Sequence, residues 1–69
     1  MITEEHFQEL DKLLSKCQEF EHLLNDWENG FASEWTDKLA TYGTHVRVSD
    51  KQQQVFDRIS EKLSKHGVL

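Results

Sequence analysis

The four residues Asn25-Asp26-Trp27-Glu28 constrain this chain more than any other stretch. On both sides of them apolar residues recur at steps of three and four. Phe7, Leu10, Leu13, Leu14, Cys17, Phe20 and Leu24 come before, and Phe31, Trp35, Leu39 and Tyr42 follow. Asn25 with Glu28 three positions later has the form of a capping box. The Asn side chain accepts from the backbone N–H of residue 28, and the Glu side chain reaches back to the amide of residue 25. This predicts a break near 24–26, a first helix over 3–24 and a second over 26–42. The competing reading is one unbroken helix of about 40 residues, since Asn and Gly weaken a helix without forbidding it. Its 3-4-3-4 spacing from Leu10 to Phe31 would be a heptad pattern with a stutter at Trp35. A lone helix of that kind needs a second copy to cover its aromatics, whereas a hairpin covers them within one chain.

The first helix opens on Thr3 as N-cap, with Glu4 and Glu5 placed to suit the positive end of the helix dipole. Its apolar residues spread over roughly 140° of the circumference, wider than a simple surface stripe. A face that broad wants two partners: two other helices, or one helix and a second subunit, which makes a homodimer through helix 1 one expectation. Gly43 follows the second helix where a C′ glycine belongs. Residues 44–48 read as an extended linker that lays Val46 and Val48 on the core. Ser49 and Gln52 form a second capping box, opening a third helix over 50–66 that ends at Gly67 and turns Val55, Phe56, Ile59 and Leu63 inward. The expected fold is all-α: a single domain over 1–69, a small three-helix arrangement with Trp27, Phe31 and Trp35 at the junction.

Size sharpens the problem. A chain of 69 residues hides only about 60 % of its unfolded surface and needs outside help more often than a larger domain does. One cysteine, Cys17, excludes an internal disulfide and fits a reducing compartment. Its place in the apolar stripe marks it as a small core residue. There is no basic stretch leading into an apolar run, and nothing approaches the roughly 20 apolar residues of a membrane span. The expectation is a soluble, cytoplasmic protein with no membrane association.

No catalytic constellation appears: no serine nucleophile between glycines, no glycine-rich phosphate loop, no His-Glu-x-x-His. Glu4-Glu5 and Glu19/Glu21 are paired carboxylates, but on a solvated face nothing raises a pKa for acid–base work. Cys17 and His22 fall on opposite sides of a helix, and His6, His45 and His66 are far apart in sequence, so neither metal nor cofactor is expected. The reading is a chain that is not an enzyme.

Two patches remain as candidate sites. Trp27, Glu28, Phe31 and Trp35 form an aromatic ridge suited to partner binding, because Trp and Tyr concentrate interface energy; plain core packing is the competing role. Lys51, Arg58, Lys62 and Lys65 fall within roughly 60° on the third helix, a strip able to follow phosphates. Lys62 and Lys65 also simply suit the negative helix end, and Asp57 and Glu61 flank the strip. No aromatic interleaves with these bases on the strip, which argues against single-strand stacking. The net charge of −5 is divided unevenly. Residues 1–44 hold ten acids and three bases, residues 45–69 three acids and five bases. Imitation of DNA by the acidic first helix is a further alternative, weakened by acids scattered around the helix.

The pattern Leu24-Asn25-Asp26-Trp27-Glu28-x-Gly30-Phe31, then Val48-Ser49-Asp50-Lys51-Gln52-x-x-Val55-x-x-Arg58-Ile59, resembles a short helical segment of phage and bacterial DNA-processing proteins such as helicases and primases. In those an acidic Trp-Glu-x-x-Phe helix precedes a Leu-Ser-x-Lys-Gln helix, with Val48 here in the leucine position. The resemblance spans Leu24 to Leu63 and implies a link to DNA metabolism or a phage source, without implying catalysis. Together these readings predict a non-enzymatic protein–protein interaction module, a small phage-type accessory or regulatory protein whose protein partner handles nucleic acid. The alternatives are a nucleic-acid-binding module built on the third helix and an acidic DNA mimic.

Overall fold

Three side-chain caps set where the helices begin. In the computed structural model, which describes all 69 residues, Thr3 Oγ1 accepts from the His6 N–H at 3.0 Å and starts α1 (Glu4–Glu19). Asn25 Oδ1 accepts from the Glu28 N–H at 2.8 Å, while Glu28 Oε1 accepts from the Asn25 N–H at 3.0 Å. This reciprocal box opens α2 (Asp26–Tyr42). Ser49 and Gln52 make the same exchange at the head of α3 (Asp50–Lys65), at 3.2 and 3.0 Å. The fold is all-α, and its first two helices are separate.

The predicted helix over 3–24 is too long. α1 stops at Glu19, and a 3₁₀ turn over Glu21–Leu23 carries the chain to Leu24. The helical dihedrals are lost at Phe20 (φ −117°, ψ 37°), and Leu24 (φ −107°, ψ 151°) and the N-cap Asn25 are extended ahead of α2. Asn29 Nδ2 ties the unwound turn to α2, donating to the Glu21 and Leu24 carbonyls at 3.1 and 3.3 Å.

The predicted extended linker is likewise partly wound. Gly43 is the C-cap, with its N–H on the Leu39 carbonyl and a φ of +57° that only glycine adopts freely. A 3₁₀ turn over Gly43–His45 follows, and extended backbone begins at Val46. Val46 is buried and Val48 half-buried, as the sequence implied. The Thr44 carbonyl accepts from the Ile2 N–H at 2.9 Å and fastens the N-terminus to this connection. α3 ends in a Schellman motif, with Gly67 N–H on the Ser64 carbonyl and Val68 N–H on the Leu63 carbonyl.

The twelve buried residues are all apolar, so the interior contains no polar side chain that needs a partner. α1 contributes Leu10, Leu13, Leu14 and Cys17; α2 contributes Ala32, Trp35 and Leu39; α3 contributes Phe56, Ile59 and Leu63. Trp35 and Phe56 meet edge to face at 5.2 Å, and Phe31 adds a second edge contact to Phe56 at 5.0 Å. Four residues of the α1 stripe are buried inside the monomer, while Phe7 on the helix and Phe20 just after it are only partly covered. No helix is long and apolar enough to cross a membrane.

Candidate docking face

The aromatic ridge divides into three environments along α2. Trp35 is only 2 % exposed and belongs to the core. Phe31 is half-buried between Trp27 and Phe56. Trp27, one turn nearer the N-terminus, is 63 % exposed, with its indole stacked on the Phe31 ring at 5.6 Å and 16°. Trp27 is thus not a core residue, and neither is Tyr42, which is 59 % exposed. The reason is position: Trp27, in the first turn of α2, stands beside α3 at the mouth of a cleft with Lys51, Val55 and Arg58 and is not enclosed between the helices. Its ring is held by Phe31, which is fixed in turn by Phe56. A large apolar ring presented to solvent on a rigid support loses little side-chain freedom when a partner covers it.

Glu28 has a structural role. Besides capping α2, its Oε1 accepts from Lys62 Nζ at 2.8 Å, and its side chain is only 14 % exposed. Burial pushes the Glu28 carboxyl upward. The Lys62 hydrogen bond, the Asn25 N–H and the Lys62 charge outweigh that and hold it below its ordinary range. The neighbouring Cys17 thiol is pushed up to about 11, first by burial and then by the negative charge of Glu28. A protonated thiol with 1 % exposure is chemically inert.

The basic strip is divided as well. Lys62 is engaged by Glu28, and Lys65 makes a loose exposed pair with Glu61 at 3.5 Å. Lys51 and Arg58 are exposed and form no ion pair within the chain. Folding gives these two an aromatic neighbour that the linear order hides. Trp27 joins Lys51, Gln54, Val55 and Arg58 in lining a cleft of about 430 Å³ between the start of α2 and the outer face of α3. The expectation that no aromatic interleaves with the bases is therefore corrected. The one aromatic of α3, Phe56, is buried in the core, and the tertiary arrangement supplies an exposed one from another helix.

Trp27 also borders a second cleft of about 360 Å³, lined by Asp26, Gly30, Phe31 and Glu34 of α2 itself. The exposed indole accordingly has carboxylates on one flank and cations on the other. Gln54 is the member of this face that sequence reasoning passed over, and Val55, expected to turn inward, is only half-buried and borders the cleft. Their signal was the three- and four-residue steps Lys51-Gln54/Val55-Arg58, which place all four on one side of α3. A further cleft between α1 and α3 holds a hydrogen bond between His6 Nε2 and Gln53 Oε1 at 2.9 Å, with Gln53 Nε2 donating to Asp57. No three His, Cys, Asp or Glu side chains converge as a metal site would require. No family model, no curated protein and no solved structure matches this chain.

Proposed function

We propose that this protein is a non-enzymatic interaction module that docks a protein partner on the face centred on Trp27. One observation carries the reading: a tryptophan 63 % exposed, yet stacked on an aromatic ladder that ends in the core. An indole left in water forgoes a large burial energy, and interfaces use such pre-positioned rings as anchors. The resemblance of Leu24–Leu63 to segments of DNA-processing proteins supports a partner that handles nucleic acid, and an accessory or regulatory role of phage type. The test is affinity capture with wild-type and Trp27→Ala chains, both verified as folded by circular dichroism. A partner retained by wild type and weakened at least tenfold by the substitution supports the proposal. Equal retention by both overturns it.

A second reading has its own observation, the convergence of Trp27 with Lys51 and Arg58 in one cleft. A stacked base on the indole and phosphates on the two cations would make a short single-strand site. A salt titration with single- and double-stranded oligonucleotides decides it. Affinity that falls with salt and is lost in Lys51→Glu/Arg58→Glu supports nucleic acid, and no binding at low salt removes it. The acidic flank at Asp26 and Glu34 and the net charge of −5 oppose a polyanion. We therefore rank the protein partner first.

A further inference from the structure

We infer that the Trp27 face is self-complementary and that a second copy of this chain docks on it about a two-fold axis. The inference rests on the reading of Trp27 as a protein-docking anchor and adds the chemistry of one partner. Trp27 is shared by two clefts of opposite charge. Asp26 and Glu34 line the one on α2, and Lys51 and Arg58 line the one toward α3. An isologous contact applies the same patch to itself, so that residue i meets j and j meets i. With the axis beside the indole, the acidic flank of each copy lies on the basic flank of the other. The carboxylate–cation pairing is then made twice, around two apposed rings.

Two further observations favour this occupant. Asp26, Lys51 and Arg58 have no ion-pair partner within their own chain, and Glu34 has only an exposed i,i+4 contact with Lys38 at 3.4 Å. These charges are free to be used between copies. Gly30 lies in the middle of α2, where glycine weakens a helix, and a Cβ built there meets nothing within 4 Å. The bare backbone keeps open the cleft of about 360 Å³ beside Trp27 and Phe31. A polyanion would have to cross Asp26 and Glu34, whereas a second copy matches both flanks. A standard interface takes roughly 800 Å² per partner, a modest share of the 4811 Å² this chain exposes.

Sedimentation equilibrium from 10 µM to 1 mM, roughly the range of weak to moderate affinities, tests the proposal on the full chain. A monomer–dimer equilibrium is expected, weakened by salt. Trp27→Ala should weaken it at least tenfold, in a chain that circular dichroism shows to be folded. The charge exchange is the sharper test. Lys51→Glu/Arg58→Glu makes both flanks acidic, and Asp26→Lys/Glu34→Lys makes both basic. Each should be monomeric alone, and an equimolar mixture should restore a heterodimer. Should the Asp26 change disturb the helix start, Glu34→Lys alone replaces the second variant. A wild type that stays monomeric at 1 mM overturns the inference, as does a Trp27→Ala chain that dimerises normally, or folded charge variants that fail to pair. A monomer that still captures a protein through Trp27 overturns this inference alone and leaves the proposed function standing. A monomer that binds an oligonucleotide through Lys51 and Arg58 assigns the face to nucleic acid instead.

Discussion

Glu28 in the first turn of α2 and Lys62 in the last turn of α3 meet at 2.8 Å, 34 residues apart in the chain. One carboxylate therefore closes the N-terminal cap of one helix and neutralises the lysine at the C-terminal end of another. Glu28→Gln keeps the capping geometry and removes the charge, whereas Glu28→Ala removes both. Lys62 is 37 % exposed, so solvent screens the pair. We expect Glu28→Gln to cost about 1 kcal/mol at neutral pH and Glu28→Ala about 2 kcal/mol. Urea denaturation followed by circular dichroism measures both. The sign of the pH dependence follows from a carboxyl held below its ordinary range in the folded state. Its contribution is complete above the unfolded value of about 4.3 and is lost as pH falls through the folded value. The gap between wild type and Glu28→Gln should be constant near neutrality and narrow on acidification below about pH 4. A gap that widens in acid contradicts the assignment.

The two tryptophans should separate cleanly in experiment. Trp35→Ala removes a ring that is 2 % exposed and packed on Phe56. The cost for such a change is about 3–5 kcal/mol, which is comparable to the total stability of a domain this small, roughly 3–5 kcal/mol. The variant should be unfolded at room temperature, while Trp35→Phe should retain a cooperative transition at a lower midpoint. Trp27→Ala should cost about 1 kcal/mol or less, chiefly the lost stacking on Phe31. Iodide quenching gives an independent check, with Trp27 quenched and Trp35 protected in the native state.

Cys17 supplies a probe of the interior. Its thiol titrates at about 11, against an unfolded value of about 8.5. A raised folded value means that the contribution to stability is complete below the unfolded value and disappears as pH rises through the folded one. Stability should fall between about pH 8.5 and 11 in wild type and fall less in Cys17→Ala. Thiol reagents should label the native protein only at the rate of global opening, and the denatured protein at once. Immediate labelling of the folded chain would show that Cys17 is not enclosed.

Glycine substitutions should act with opposite signs. Gly30 has ordinary helical surroundings and open space where a side chain would go. Gly30→Ala should therefore raise stability by about 0.5–1 kcal/mol. Gly43 holds a φ of +57° at the end of α2, so Gly43→Ala should lower stability by about 1 kcal/mol or more despite equal room for the methyl group. Thermal melts of the two variants beside wild type decide both directions.

The helix starts were readable because their chemistry is local. Thr3, Asn25/Glu28 and Ser49/Gln52 each satisfy orphan amides within four residues, and all three caps form where the residue types indicate. The core members Leu10, Leu14, Cys17, Trp35, Phe56, Ile59 and Leu63 were readable from periodicity for the same reason. What escaped was relational. That α1 ends at Glu19 and a 3₁₀ turn takes the chain to Leu24 is not marked by any glycine, proline or capping residue at Phe20. That Trp27 lies outside depends on the line along which α3 crosses α2. Periodicity gives the face of a helix, but not where its neighbour lies against it. The same missing registration concealed the meeting of Trp27 with Lys51 and Arg58, and the engagement of Lys62 by Glu28.

The tether from the Ile2 amide to the Thr44 carbonyl is the only backbone hydrogen bond joining distant parts of the chain; every other one closes within five residues. No strands have to find one another, and no long loop must shut before backbone bonding begins to stabilise the chain. Such a topology lowers the entropic barrier to folding and places the chain among the microsecond-to-millisecond folders. Removing residues 1–2 would leave the backbone bonding of the helices as before and release that one tether together with the packing of Ile2 on the core.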